Sequence, residues 1–187
     1  MTKIGVLALQ GAFIEHCQIL RRLAVDCVEL RKPADISPDL DGLILPGGES
    51  TVMGKLLNNL GMLIPIRKMI SEGLPVFGTC AGMILLAQRL SEDSIPRPGT
   101  MDITVRRNAY GRQIGSFNSV ATFAGKRVPM TFIRAPYIEE AGSEVQILSV
   151  VDGHIVAAKQ GNQLVTAFHP ELTDDLTVHQ YFLDMIS

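Results

Sequence analysis

Cys80 lies in Pro75-Val76-Phe77-Gly78-Thr79-Cys80-Ala81-Gly82-Met83, where an apolar, strand-like run passes into helix-like sequence with a thiol at the join. Glycine two positions to either side removes the side chains that would collide if the backbone doubled back there, which is the G-x-nucleophile-x-G arrangement of a strand-turn-helix elbow. A helix beginning at about Ala81 would aim its unpaired N–H groups at the sulfur and favour thiolate over thiol. On its own, such a cysteine reads equally well as a small buried hydrophobe, so chemistry requires partners elsewhere in the chain.

Those partners are offered by Phe168-His169-Pro170-Glu171. Proline disfavours the helical region for the residue before it, so His169 is expected to be extended, and residues two apart on extended chain face the same way. Their Cα atoms would then be ~6 to 7 Å apart, within reach of a carboxylate-to-imidazole contact. Cys80, His169 and Glu171 thus compose a nucleophile, a general base and an orienting carboxylate, the logic of a Cys-His-Glu triad. A third piece is Pro46-Gly47-Gly48-Glu49-Ser50-Thr51, where two glycines let backbone amides turn toward a ligand. His16, His154 and His179 read as structural histidines, Cys17 and Cys27 as core residues, and the eight methionines as packing.

Positioning these groups needs a parallel sheet. Residues 4–9, 25–30 and 42–45 are apolar runs of strand length, as is the run leading to Cys80, and they alternate with helical patterns over 13–23, 52–60 and 62–72. Strands alternating with helices imply a parallel sheet with right-handed crossovers, whose ligands sit beyond the carboxyl ends of the strands. Both Gly47-Gly48 and Cys80 fall at such ends. The helix after Cys80 is expected to run to about Leu90, with a polar connection over 91–98. From Met101 the chain turns β-rich, with strands expected over 101–106, 119–123, 130–134, 145–151, 154–159 and 164–168 and a hairpin turn at Val151-Asp152-Gly153-His154. A helix is expected over 174–186. The fold class is α/β: a mostly parallel central sheet flanked by helices, with an antiparallel β portion in the second half.

Composition sets the bounds. The 187 residues are expected to form one domain, 1–187, with 47% hydrophobic and 19% charged residues and a mean hydropathy of +0.23, which excludes a disordered chain. A net charge of -2 leaves no electrostatic footprint for nucleic acid or an anionic membrane. The apolar run after Met1 is too short for a signal peptide or a spanning helix, so a soluble, cytoplasmic protein is expected. Three cysteines without a C-x-x-C indicate neither a disulfide framework nor a zinc site, and no metal or cofactor is expected.

With these residues in view the chain resembles a known family. Leu9-Gln10-Gly11-Ala12, Leu45-Pro46-Gly47-Gly48-Glu49-Ser50-Thr51, Gly78-Thr79-Cys80-Ala81-Gly82, Arg107-Asn108 with Gly111-Arg112-Gln113, Phe132-Ile133-Arg134-Ala135-Pro136 and Phe168-His169-Pro170-Glu171-Leu172 resemble the glutaminase subunits of pyridoxal 5'-phosphate synthase. These are class I glutamine amidotransferases, and the similarity spans essentially the whole chain. The elbow and the His-x-Glu pair are shared across that class, whereas the Pro-Gly-Gly-Glu-Ser-Thr and Ile-Arg-Ala-Pro segments point to the vitamin B6 subunits.

The resemblance implies hydrolysis of L-glutamine to L-glutamate and ammonia, with Cys80 as nucleophile and His169 and Glu171 as the relay. Gly48 and Ala81 would hold the oxyanion. Gly48, Glu49, Ser50, Arg107, Ile133 and Arg134 would meet the substrate, with Arg107 or Arg134 on its α-carboxylate. It also implies a synthase partner that makes pyridoxal phosphate from a pentose phosphate and a triose phosphate, in an assembly of twelve copies of each chain. A thiol peptidase of related architecture, a glutaminase serving another synthase and a non-catalytic docking subunit share the same motifs and remain alternatives at this level.

Overall fold

Apolar runs too continuous to be half-exposed become the buried strands of a central sheet. The structure, a computed structural model, describes residues 1–92, 94–107 and 116–186. In chain order the first half holds β1 (Lys3–Leu7), α1 (Phe13–Arg22), β2 (Asp26–Leu30), β3 (Gly42–Leu45), α2 (Ser50–Asn59), α3 (Leu63–Ser71), β4 (Val76–Thr79) and α4 (Ala81–Leu86). The second half holds β5 (Ala87–Leu90), β6 (Met101–Arg106), β7 (Ser116–Phe123), β8 (Lys126–Ile133), β9 (Tyr137–Ala141), β10 (Gln146–Val151), β11 (His154–Gln160), β12 (Gln163–Thr166) and α5 (Thr177–Asp184). Among the described residues no helix is long and apolar enough to cross a membrane.

The sheet runs in the order β2-β1-β3-β4-β12-β11-β9-β6-β5, with β10 added alongside β11. Its first five strands are parallel, and β3, β4 and β12 are buried along their whole length, which is why β3 reads as an apolar run; β4 and β12 also bury polar residues, Thr79 in one and Gln163 and Thr166 in the other. The strands β12, β11, β9 and β6 then pair antiparallel, so the expected antiparallel portion extends the parallel sheet. The hairpin between β10 and β11 turns at Asp152 (φ 50°) and Gly153 (φ 78°), the left-handed pair that the Asp-Gly sequence predicts. A separate hairpin, β7 with β8, covers one end of the sheet through Phe123, Phe132 and Phe168, which meet edge to face. Pro65 sits in the first turn of α3, where its missing N–H has no helical partner to lose.

Three expectations need correction. The helix after Cys80 ends at Leu86, not near Leu90: residues 87–90 pair in parallel with β6, through Ala87 beside Met101 and Leu90 beside Val105. Cys17 and Cys27 are not simply core residues, because they form a disulfide that ties α1 to β2 with Cα atoms 5.6 Å apart. Strand β9 forms over Tyr137–Ala141, where no element is expected from the sequence. The motif residues Asn108, Gly111, Arg112 and Gln113 lie outside the described residues.

Candidate active site

Adjacent parallel strands end at the same level, and three of those ends carry the residues that the sequence singled out. The register pairs Leu45 with Gly78 and Thr166 with Thr79, so the chain leaving β3, β4 and β12 delivers Gly47-Gly48, Cys80 and His169 to one crevice. β1 lies between β2 and β3, and chain order reverses there, the position where open α/β sheets bind ligands. The loop after β1 joins the crevice: Ala12 N–H donates to the Gly47 carbonyl at 2.9 Å.

Cys80 occupies a left-handed backbone conformation, φ 50° and ψ -100°, between β4 and α4. An L-residue there is strained, and it persists because its surroundings fix it. Its N–H donates to the Thr166 carbonyl at 2.8 Å, and its carbonyl accepts from Ile84 N–H at 3.2 Å. The sulfur lies 3.9 Å from the Ile133 carbonyl oxygen. Both elbow glycines are required by contact, since a Cβ at Gly78 would stand 2.6 Å from the Gly82 carbonyl group and one at Gly82 would stand 2.0 Å from the Leu45 oxygen.

His169 is 5% exposed and Glu171 5%, and Nδ1 of the ring meets Glu171 Oε1 at 2.6 Å. The contact is made differently from the sequence expectation. His169 stays out of the helical region, as the following proline demands, but with φ -107° and ψ 86° it is not in the extended conformation expected, and residues Pro170–Leu172 then form a 3₁₀ turn that swings Glu171 back under the imidazole. Burial alone would lower the His169 pKa, but hydrogen bonds from the ring to Cys80 and Glu171, together with their charges, outweigh it and raise the value to about 10. The sulfur and the carboxylate therefore flank one imidazole, and the cationic ring is the favoured form at neutral pH. Its position depends on Gly47, where a Cβ would fall 2.1 Å from His169 Cε1.

The crevice encloses about 430 Å³. Gly48, Glu49, Ser50, Cys80, Arg107, Ile133, Arg134 and His169 all line it, which is every expected site residue except Ala81 and Glu171. Ala81 is the first residue of α4, buried next to the sulfur-bearing residue, and Glu171 stands behind the histidine. Glu49 faces the crevice but also caps α2, its carboxylate accepting from Thr51 N–H and Val52 N–H, both at 3.1 Å. Its own N–H donates to Gln10 Oε1 at 2.8 Å. The Gly47-Gly48 peptide is thus tied through its carbonyl to Ala12, and the Gly48-Glu49 peptide through its N–H to Gln10.

Arg107 is steered to the crevice by Thr51, whose Oγ1 accepts from Nη1 at 3.1 Å, and by Glu92, whose Oε2 lies 3.6 Å from Nε. Arg134 leaves β8 in a left-handed conformation, φ 44°, at the rim. Sequence reasoning missed Leu172 and Ile84 as lining residues. Leu172 follows the His-Pro-Glu run directly, and Ile84 lies one helical turn beyond the nucleophile; adjacency of this kind is the signal that would have found them. Among the described residues no cluster suited to a metal ion occurs.

The pyridoxal 5'-phosphate synthase subunit PdxT of Methanocorpusculum labreanum is 59% identical over 186 residues, covering 99% of this chain and 98% of that one. The protein of the same name from Streptococcus pneumoniae strain CGSP14 is 58% identical over 187 residues, covering 98% and 96%. A crystal structure described as a glutamine amidotransferase superposes with a TM-score of 0.93 at 42% identity over 98% of each chain. A glutamine amidotransferase from Thermotoga maritima shares the fold alone, at 14% identity and a TM-score of 0.65 over 98% of this chain and 83% of that one. Residues 6–187 match the family described as SNO glutamine amidotransferase, and the chain belongs to that family.

Proposed function

We propose that this chain is the glutaminase subunit of a pyridoxal 5'-phosphate synthase, a single domain that hydrolyses L-glutamine through Cys80, His169 and Glu171 and hands the ammonia to a synthase subunit. One observation carries the reading: a sulfur, an imidazole already bound to a buried carboxylate, and a glycine loop converge on one crevice. Full-length similarity to two proteins named pyridoxal 5'-phosphate synthase subunit PdxT supports the choice of synthase.

The Cys80 thiolate attacks the side-chain amide carbon of glutamine, and the amide oxygen takes up the negative charge. The Gly48 and Ala81 N–H groups hold that oxyanion, each such donor being worth about 10²- to 10³-fold in rate. Protonated His169 gives its proton to the departing nitrogen, ammonia leaves, and a thioester remains. The now neutral ring takes a proton from water, the hydroxide displaces sulfur, and L-glutamate departs; this acid and base work contributes about 10²- to 10⁴-fold. Arg107 or Arg134 pairs with the substrate α-carboxylate, while Glu49, Ser50 and Ile133 bound the remainder of the substrate. Twelve copies on a dodecameric synthase, working in the cytoplasm, complete the proposal.

Ammonia lost to water is wasted, so the site gains from resting until the partner docks, and the Gly47-Gly48 peptide is the element to move. Ammonia release from glutamine by the purified chain is expected to rise at least tenfold when the synthase is added. A rate unchanged by the synthase would remove the coupling, and no release under either condition would remove the glutaminase reading.

The raised pKa of His169 sets a pH dependence. Because the carboxylate of Glu171 favours the imidazolium, the acid form persists well above neutrality and is lost as pH rises through about 10. In Glu171→Gln the alkaline limb of kcat/KM should move to lower pH by about 1 to 3 units, the size of an opposite-charge effect at close range. Movement upward, or none, would contradict the assigned pairing.

A further inference from the structure

Behind Glu171, on the side away from the crevice, lies a second set of polar side chains that the triad does not use. His16 of α1 and His179 of α5 are completely buried, with Nδ1 of His16 2.8 Å from Nε2 of His179. The other nitrogen, His16 Nε2, lies 3.2 Å from Thr79 Oγ1 and 3.6 Å from Glu171 Oε2. Phe77 meets both rings edge to face, at 6.1 Å and 5.5 Å, so the cluster sits in apolar core. Glu171 spends Oε1 on His169, whereas its Oε2 is buried without a hydrogen bond. A carboxylate oxygen in such a place is costly unless a donor faces it, and His16 Nε2 stands 3.6 Å away.

The proton positions follow by elimination. Burial, and then the mutual repulsion of the rings, holds His16 well below the usual histidine value, and burial takes His179 down to about 3, so each ring carries one proton. Suppose His16 held its proton on Nδ1. It would donate to His179, whose own proton would then sit on Nδ1, a buried atom with no acceptor, while a bare His16 Nε2 lone pair faced the Glu171 carboxylate. With the proton on Nε2, His179 Nε2–H donates to His16 Nδ1, and His16 Nε2–H faces both Thr79 Oγ1 and Glu171 Oε2. Glu171 Oε2 is beyond hydrogen-bond length in either arrangement, but here it faces an N–H, and the other group left unpaired is an acceptor lone pair on His179 Nδ1, which costs less than a stranded N–H.

We propose that His16, oriented by His179, is a positioning residue that fixes the Glu171 carboxylate so that its opposite oxygen holds the His169 ring against Cys80. This rests on the glutaminase reading of the same site. No proton travels along the chain of rings; its role is to present a donor to Oε2. His16 also contacts Thr79, the residue immediately before the nucleophile, so one ring registers both arms of the triad. The titratable groups facing it, among the described residues, are Glu171 from the turn after β12, His179 from α5 and, farther off, His169.

The first test needs no variant. Nitrogen chemical shifts of the full-length, ¹⁵N-histidine-labelled protein at pH 7.5 should show both His16 and His179 as neutral rings protonated at Nε2; an Nδ1-protonated or cationic His16 overturns the proposal. The second test compares two substitutions in the complex with the synthase. His16→Leu removes the donor, whereas His16→Gln keeps an N–H near the original Nε2. His16→Leu should lower kcat by roughly tenfold or more, part of the contribution of acid–base catalysis, leave KM within about twofold and move the alkaline limb to lower pH. His16→Gln should recover most of the rate and the original limb. A cooperatively folded His16→Leu with wild-type kcat and pH limb, or equal losses in both variants, overturns it. Should wild type itself release no ammonia, the glutaminase reading fails while the proton assignment is still decided by the nitrogen shifts.

Discussion

Cys80→Ala lowers glutamine hydrolysis by roughly 10⁴-fold or more, because among the described residues lining the crevice Cys80 carries the one thiol and triad members act as a unit. The substitution is clean. Alanine keeps the Cβ, so the left-handed bend at φ 50° and the backbone hydrogen bonds to Thr166 and Ile84 are undisturbed, and a lost sulfur is the only change at the site. The double variant with His169→Ala is expected to be no slower than Cys80→Ala alone, since an acid and base without a nucleophile have nothing to assist. Ammonia release by the complex with the synthase measures the rate. Mass spectrometry of acid-quenched wild type with glutamine should show a cysteinyl adduct that the variant lacks. Turnover within tenfold of wild type, with the variant still bound to the synthase, would show that the chemistry does not pass through this sulfur.

Much of that site was legible because its parts are local. The elbow is written in five consecutive residues, and β3 and the start of β4 are short apolar runs bounded by glycine and proline, the mark of a central strand. Parallel order then follows from alternation with helices, which brings the carboxyl ends together without any knowledge of distance. The His169 and Glu171 contact was anticipated with the wrong backbone. Pro170 fixes the residue before it but is equally at home opening a 3₁₀ turn, and nothing local decides between an extended strand and that turn.

What escaped the sequence was set by tertiary contact. All six residues of α4 and the Ala87 that follows are buried, so the amphipathic rhythm that marks a helix end is missing, and the switch to strand at residue 87 is decided by pairing with β6. Cys17 and Cys27 are ten apart on a helix and a strand; no spacing rule links them until α1 packs along β2. His16 and His179 are 163 residues apart, and a structural histidine describes each alone but not the pair. Their meaning arises when α1 and α5 bring them together behind Glu171, one ring at hydrogen-bond distance from the other.

The elbow also makes a stability prediction, and Gly82→Ala should be among the most damaging single-methyl additions in the chain. Helix propensity favours alanine over glycine by about 1 kcal/mol, so a naive expectation is stabilisation. Packing overrules it. The added Cβ would sit 2.0 Å from the Leu45 oxygen, 2.8 Å from its carbonyl carbon and 3.1 Å from its Cβ, and the first two are backbone atoms of a buried central strand that no rotamer change can move. Restoring ordinary contact at about 3.4 Å requires α4 to lift off β3, which opens core around Leu45 and drags Cys80 with it. Overpacking of this kind costs about 1 to 3 kcal/mol where side chains can yield and more where they cannot, so a net loss of about 3 kcal/mol is expected after the propensity gain. Urea unfolding should show the midpoint falling with little change in slope. Activity should fall further than stability alone accounts for, because a sulfur displaced by an ångström forfeits on the order of 10²-fold in rate. A Gly82→Ala protein as stable and as active as wild type would mean that α4 does not press on β3 as tightly as these contacts require.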